Sequence, residues 1–251
     1  MTQDWFTETG NFFGERYLRM YEGLLTSNRT KKEIGFVLSI LQTSKEGRVL
    51  DVPCGHGRHA IELAKHGYDV TGYELNKHFL QVAQDNAAKE RVTVTWLPGD
   101  MRELHFEEEF DVALNLFTAM GYFGHDSDDQ KFIDAVYSSL KPNGEFIIDY
   151  INSYRVLRQL RSQNWERLSD GSYVLHERQF DVVTGTMHDT RTHLDTDDTY
   201  TVKTSVRFYT PAELIKMLKQ SGFSIIDTYG DFTGAPLTMD SNRLIIHAKK
   251  D

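Results

Sequence analysis

Apolar residues along this chain change spacing several times. Over residues 5–43 they recur at helical intervals, with Ile34, Val37, Leu38 and Leu41 on one stripe, and Asn28 or Thr30 is placed to cap the second of two helices. Arg48 to Val52 is then a short β-branched run that ends in a glycine-rich turn. A helix from Arg58 to His66, stopped by Gly67, precedes a second strand from Tyr68 to Glu74. Asn76 to Lys89 predicts a helix with Phe79, Leu80, Val82 and Ala83 inward, followed by a strand from Val92 to Trp96. A fourth strand, Phe110 to Leu116, leads to a helix from Asp129 to Leu140, closed by Lys141-Pro142-Asn143-Gly144. The fifth strand, Glu145 to Ile151, carries Phe146-Ile147-Ile148, a run suited to a strand covered on both faces. Strands alternating with helices predict an α/β fold with a parallel sheet and right-handed crossovers.

The rhythm breaks after Asn152. Tyr173 to Phe180, Thr186 to Leu194 and Tyr200 to Phe208 are extended stretches separated by Asp- and Gly-containing turns, within a region from 164 to 208 that lacks a good helix. They predict a small antiparallel sheet inserted before the last helix. That helix opens at Thr210-Pro211, an N-cap followed by proline at the first helical position, and ends at Gly222. Phe223 to Tyr229 and Leu244 to Lys249 are the last strands. The expected units are an N-terminal helical cap (1–45), a core (46–152), the inserted antiparallel sheet (153–208) and the end of the core (209–251).

Composition narrows the function classes. The chain has 251 residues, enough for one large domain with a small appendage. With 28 Lys and Arg against 37 Asp and Glu, the net charge of −9 excludes a whole-surface basic footprint for nucleic acid. The single cysteine, Cys54, excludes an internal disulfide framework and fits a reducing compartment. No apolar run approaches the ~20 residues of a membrane span. Met1 to Trp5 lacks the basic and apolar regions of a signal peptide, so the expected location is the cytoplasm.

Chemistry concentrates in Val49-Leu50-Asp51-Val52-Pro53-Cys54-Gly55-His56-Gly57-Arg58-His59. A glycine-rich turn from a strand into a helix N-terminus lets backbone amides approach a ligand. A dinucleotide G-x-G-x-x-G would want glycines at 53, 55 and 58, and only Gly55 fits. A nicotinamide oxidoreductase therefore fails on glycine register. The stretch instead resembles the first motif of the class I S-adenosylmethionine-dependent methyltransferases, with Asp51, Gly55 and Gly57 in place and Pro53 where that family has its first glycine. The resemblance covers most of residues 48–151, and the last helix and strands fit it too.

It implies a Rossmann-like seven-stranded sheet, mostly parallel with an antiparallel last strand, plus the inserted antiparallel β-sheet and N-terminal helices. The implied cofactor is S-adenosyl-L-methionine, at the C-terminal ends of the strands. By the same resemblance Glu74, followed by Leu75, would hold the ribose hydroxyls. Asp100 would meet the adenine amino group, and Met101 would pack on the ring. The chain at Asn115 and Leu116 would lie beside the methionine part. Tyr17 and Tyr21, one helical turn apart, would fold over the cofactor, or else pack on the sheet edge.

The acceptor is less legible. Asn115 is not followed by the Pro-Pro-aromatic sequence of enzymes that methylate amino groups of bases or glutamine. Leu116 to Phe123 is apolar and glycine-hinged instead, so Phe117, Tyr122 and Phe123 read as a dry wall beside the transferring methyl group, or as core. Arg207 and Tyr209 are substrate-side candidates. His125, Tyr209 and Asp231 are the catalytic candidates, and each reads more readily as structural. His56 and His59 shape the turn or touch the cofactor, and His176, His188 and His193 are further histidines near the inserted sheet. No metal-ligand spacing is present. The expected activity is methyl transfer to a small-molecule acceptor by in-line displacement. The alternatives are an RNA or protein methyltransferase and a non-catalytic S-adenosylmethionine-binding protein. Acidic charge argues against nucleic acid as a partner, no membrane is expected, and the chain would act as a monomer or homodimer.

Overall fold

The computed structural model describes residues 5–7, 12–44, 46–168, 170–195 and 199–251. Two N-terminal helices, α1 (Glu15–Tyr21) and α2 (Ser27–Ile40), precede β1 (Arg48–Asp51). Then follow α3 (Arg58–Lys65), β2 (Asp69–Glu74), α4 (Lys77–Glu90), β3 (Thr95–Pro98), β4 (Phe110–Asn115), α5 (Asp126–Ser139) and β5 (Leu140–Ile151). A short α6 (Ser153–Arg158) leads to β6 (Gln163–Arg167), β7 (Tyr173–Asp181), β8 (Thr186–Leu194) and β9 (Thr199–Arg207). The chain ends with α7 (Pro211–Ser221), β10 (Phe223–Tyr229) and β11 (Arg243–Lys250).

Seven strands form one sheet in the order β10-β11-β5-β4-β1-β2-β3, with β11 antiparallel to both its neighbours and the other pairings parallel. Alternation along the strands divides the core. Leu50, Ala113, Phe146 and Ile148 face α5 and α7. Val49, Leu114, Ile147 and Ile245 face α2 and α3. The remaining strands form a separate antiparallel sheet, β6-β7-β8-β9. It is moored to the first by Arg207, whose amide donates to the Gly121 carbonyl at 2.7 Å and whose carbonyl accepts from the Tyr150 hydroxyl.

Several elements sit differently from their sequence expectation. The two N-terminal helices fill less of residues 5–43 than expected: the chain turns over Glu22 to Leu25 between them, and residues 8–11 lie outside the described residues. Thr26, rather than Asn28 or Thr30, caps α2, accepting from the Arg29 amide at 3.3 Å. β3 starts at Thr95, not Val92, because Arg91 turns left-handed and the Val92 amide still bonds the Ala87 carbonyl of α4. α5 starts at Asp126, where three aspartates favour the positive end of the helix. β5 extends back through the Pro142-Asn143-Gly144 turn. α6 and β6 carry no usable pattern; all five residues of β6 are exposed.

The order of strands fixes where a ligand can sit. From β1 the chain moves outward through β2 and β3, then returns to place β4 on the other side of β1. The crossovers diverge there and leave a crevice above the strand ends. Gly57 lies just behind its floor. It has φ +79°, and a Cβ there would lie 2.6 Å from the Trp96 ring and 2.7 Å from Ala83 Cβ. Gly57→Ala should therefore cost about 2–4 kcal/mol of stability, combining left-handed strain with overpacking, as measured by denaturant unfolding.

Candidate active site

A cavity opens at the crevice. Its floor is the turn Pro53 to His56, its walls are Glu74, Leu75, Gly99, Asp100 and Met101 on one side and Leu116 to Phe123 on the other, and Phe6, Phe13 and Tyr17 cover it. The covering rings interlock: Phe6 lies 5.4 Å from Phe123, Phe13 5.1 Å from Tyr17, and Tyr17 4.5 Å from Tyr21 between centroids.

Glu74 is the best-anchored group on the wall. It is buried at the end of β2, where Oε2 accepts from the Gly55 amide and Oε1 from the Asn76 amide, each at 2.9 Å. Burial raises its pKa, and the amides of Asn76, Gly55 and Leu75 work against that rise. A carboxylate has about four lone-pair sites, so capacity remains for further donors. Asn76 continues the assembly by capping α4 through Phe79 and donating its side-chain amide to the Phe13 carbonyl at 2.9 Å. The glycine turn, the second strand end and the aromatic cover are thus tied at one point.

The opposite wall has an unusual backbone. Phe117 and Thr118 both have positive φ, 68° and 62°, a conformation costing roughly 1–2 kcal/mol per residue. Asp149 of β5 holds it: Oδ2 accepts from the Phe117 amide and its carbonyl from the Thr118 amide, both at 2.9 Å. Arg243 of β11 pairs with Asp149 Oδ1 at 2.6 Å and reaches Thr118 Oγ1 at 2.8 Å. Further along, the Gly121 amide donates to buried Asp129 at 2.9 Å, and the Tyr122 hydroxyl donates to the Thr118 carbonyl at 2.6 Å.

Below the floor lies a charged network. Glu33 of α2 accepts from Arg29 at 2.6 Å, from His59 at 2.9 Å and from Arg58. Burial would raise the Glu33 pKa, but these three partners hold it well below the carboxylate range. Burial, reinforced by Arg58, pushes both His56 and His59 down to about 4, so His56 faces the cavity as a neutral imidazole at pH 7. Burial pushes Asp51 up to about 7, against the pull of Arg58 and the Ala60 amide. Asp51 Oδ2 and Arg58 Nη2 are both buried without a hydrogen-bond partner among the described residues.

Of the expected cofactor residues, Tyr17, Pro53, Gly55, Glu74, Leu75, Asp100, Met101 and Leu116 line the cavity, as do the expected wall residues Phe117, Tyr122 and Phe123. Asp100 also grips Arg102, at 2.6 Å, and caps the turn after β3. Tyr21, Asp51, Gly57 and Asn115 stand behind the lining. Asn115 is buried and donates its side-chain amide to the Val52 carbonyl at 2.8 Å, lacing β4 to β1. The catalytic candidates and the substrate-side candidates Arg207 and Tyr209 are not brought to the cavity. His125 is exposed at the N-cap of α5. Tyr209 is buried with its hydroxyl between Asp129 at 2.9 Å and Asp126 at 3.1 Å. Arg207 is clasped by Asp126 and Glu213, and Asp231 caps its own turn through Thr233. Phe6, Phe13, His56, Arg58 and Phe79 also line the site; the aromatic density of Trp5-Phe6 and Phe12-Phe13 was the available signal for the cover.

Residues 49–144 match the family model described as a methyltransferase domain. Over that segment the chain is similar to the S-adenosylmethionine-dependent methyltransferases. Its relatives include the YqeM protein of Bacillus subtilis, a methyltransferase by name, 28% identical over 220 residues that span 82% of this chain and 85% of the relative. A glycine/sarcosine N-methyltransferase of Aphanothece halophytica is 26% identical over 245 residues, covering 96% and 91%. A solved S-adenosylmethionine-dependent methyltransferase from Clostridium acetobutylicum shares the fold, with a TM-score of 0.80, 19% identity, and coverage of 94% of this chain and 98% of that one.

The methyltransferase cofactor, S-adenosylmethionine, fits two features of the cavity. Gly55 has φ +55°, and a Cβ there would meet nothing within 4 Å, so the turn leaves open space for a ligand against its backbone. Glu74 offers a fixed carboxylate beside it. Gly55→Ala should therefore separate from Gly57→Ala: about 1 kcal/mol of stability lost to left-handed strain, but binding of S-adenosylhomocysteine weakened about tenfold, by calorimetry.

Asp51 gives a pH prediction. Its folded pKa exceeds its unfolded value, so between about pH 4 and 7 the folded state binds the extra proton. Its contribution to stability is present at low pH and is lost as pH rises through about 7. The stability of wild type relative to Asp51→Asn should fall from about pH 4 to pH 8 in urea unfolding; a flat difference would contradict the buried, raised carboxyl.

Proposed function

We propose that this methyltransferase transfers the methyl group to a small-molecule acceptor. The observation that carries the reading is the enclosure of the cavity: aromatic rings from the N-terminal segment and from residues 117–123 cover it, and the second sheet is bonded to that wall. A cleft covered by aromatic rings suits a small acceptor better than a folded macromolecule. The glycine/sarcosine relative is consistent with that choice.

In this reading Glu74 would take the ribose hydroxyls, and Asp100 and Met101 would flank the adenine. The turn at Pro53 to Gly55 would lie under the methionine part, with Leu116 and Phe117 beside it. When bound, S-adenosylmethionine supplies a methyl group activated by a positively charged sulfur. The chain's own contribution is to bring the acceptor into line, exclude water with the Phe117, Tyr122 and Phe123 wall, and surround the positive charge with aromatic faces. His56 is a neutral acceptor on the floor, available to a polar group of either ligand.

Calorimetry with S-adenosylhomocysteine tests the cofactor half: wild type should bind, and Glu74→Ala should lose ~1.5–3 kcal/mol, the worth of hydrogen bonds to a charged group. Incubation with methyl-labelled S-adenosylmethionine and size-separated cell extract tests the acceptor half. Label should enter the small-molecule fraction. Label in RNA or protein alone would overturn the proposal, as would binding of NADH in place of the adenosyl compound.

A further inference from the structure

A second cavity lies between α6 and the inner face of β7 to β9. Leu160, Met187, Val206 and Phe208 give it apolar walls, and its charged groups are Arg178, Asp189 and Arg191. Arg178 on β7 pairs in register with Asp189 on β8, and Arg191 follows two residues along, so the pleat turns all three to one face.

Their bonding is uneven. Asp189 accepts from Arg191 Nε at 2.7 Å and lies 3.1 Å from His176 Nδ1. Arg191 is fixed from its other side, donating from Nη1 to the Tyr21 hydroxyl at 2.9 Å, with its guanidinium 5.1 Å from the Phe12 ring centre. Arg178 is loosely held: its one side-chain hydrogen bond among the described residues is Nε to Asp189 at 3.5 Å, although the side chain is only 28% exposed. Two guanidiniums against one carboxylate leave one positive charge over in a half-enclosed, partly apolar space. A net charge of one matches a carboxylate better than a phosphate dianion, and a guanidinium fork fits its two oxygens. The position is also apt. Tyr21, which Arg191 holds, stacks on Tyr17, and Tyr17 lines the first cavity.

We infer that Arg178 and Arg191 on the inner face of the second sheet bind the carboxylate of a monoanionic acceptor, one aromatic pair away from the methyl donor's cavity. This rests on the small-molecule reading above. The apolar part of the acceptor lies against Leu160, Met187, Val206 and Phe208.

The test titrates butyrate, its neutral amide butyramide and inorganic phosphate into the full-length protein at constant ionic strength, with and without saturating S-adenosylhomocysteine. Wild type should bind butyrate saturably and ignore butyramide. Arg178→Ala should weaken butyrate about tenfold or more, Arg178→Lys should weaken it less, and both should keep the affinity for S-adenosylhomocysteine. Unsaturable butyrate binding in wild type, or equal binding in Arg178→Ala and wild type, would overturn the inference. Saturable phosphate binding in place of butyrate would also overturn it. S-adenosylhomocysteine binding in the same series reports on the cofactor separately: its loss from wild type would refute the methyl-transfer reading, whereas the butyrate arms decide the anion site.

Discussion

The site depends on a carboxylate held by backbone. Glu74 emerges at the end of β2 and accepts amide hydrogens from the glycine turn after β1 and from the start of α4. Each of those amides belongs to a segment whose course is set by something else: the turn by left-handed Gly55 and Gly57, and α4 by its Asn76 cap. A buried carboxylate is costly without partners, so the three segments are stable together in one arrangement. That arrangement puts a fixed acceptor and an open glycine surface on the same wall before any ligand arrives.

A second arrangement of the same kind holds the other wall. Asp149 and Arg243 come from neighbouring antiparallel strands and fix two consecutive left-handed residues at Phe117 and Thr118. Strained backbone persists where its surroundings over-determine it, and such places concentrate at functional sites. Asp129 and Tyr209 extend the support to Gly121. Tyr209, a candidate for chemistry from sequence, thus supports the wall through Asp129.

Most of the sheet was legible because its strands are short apolar runs between well-marked turns and helices, and the Thr210-Pro211 start of α7 forms a full capping box with Glu213. Most residues expected on the cofactor side line the first cavity, since they fall at strand ends that the motif order locates. What escaped prediction lacked a local signal. β6 has no apolar alternation, and α6 is anchored through Asn152 to the distant Thr238 and Ser241 carbonyls. The clamp of Asp149 and Arg243 spans 94 positions. Arg207, Tyr209 and His125 were attractive because they are polar residues near the inserted sheet or after the fourth strand. Only tertiary packing reveals that Arg207 and Tyr209 answer Asp126, Asp129 and Glu213, and that His125 faces solvent.

The central claim is that Glu74 is built to grip a sugar at the β2 end while the Gly55 backbone lies open beside it. A crystal structure of the complex with S-adenosylhomocysteine tests it most directly. Both ribose hydroxyl oxygens should lie about 2.5–2.8 Å from the Glu74 carboxylate, with the ligand's amino-acid end over Pro53 to Gly55. A complex with the ligand seated elsewhere, or with Glu74 turned away from the ribose, would contradict the account.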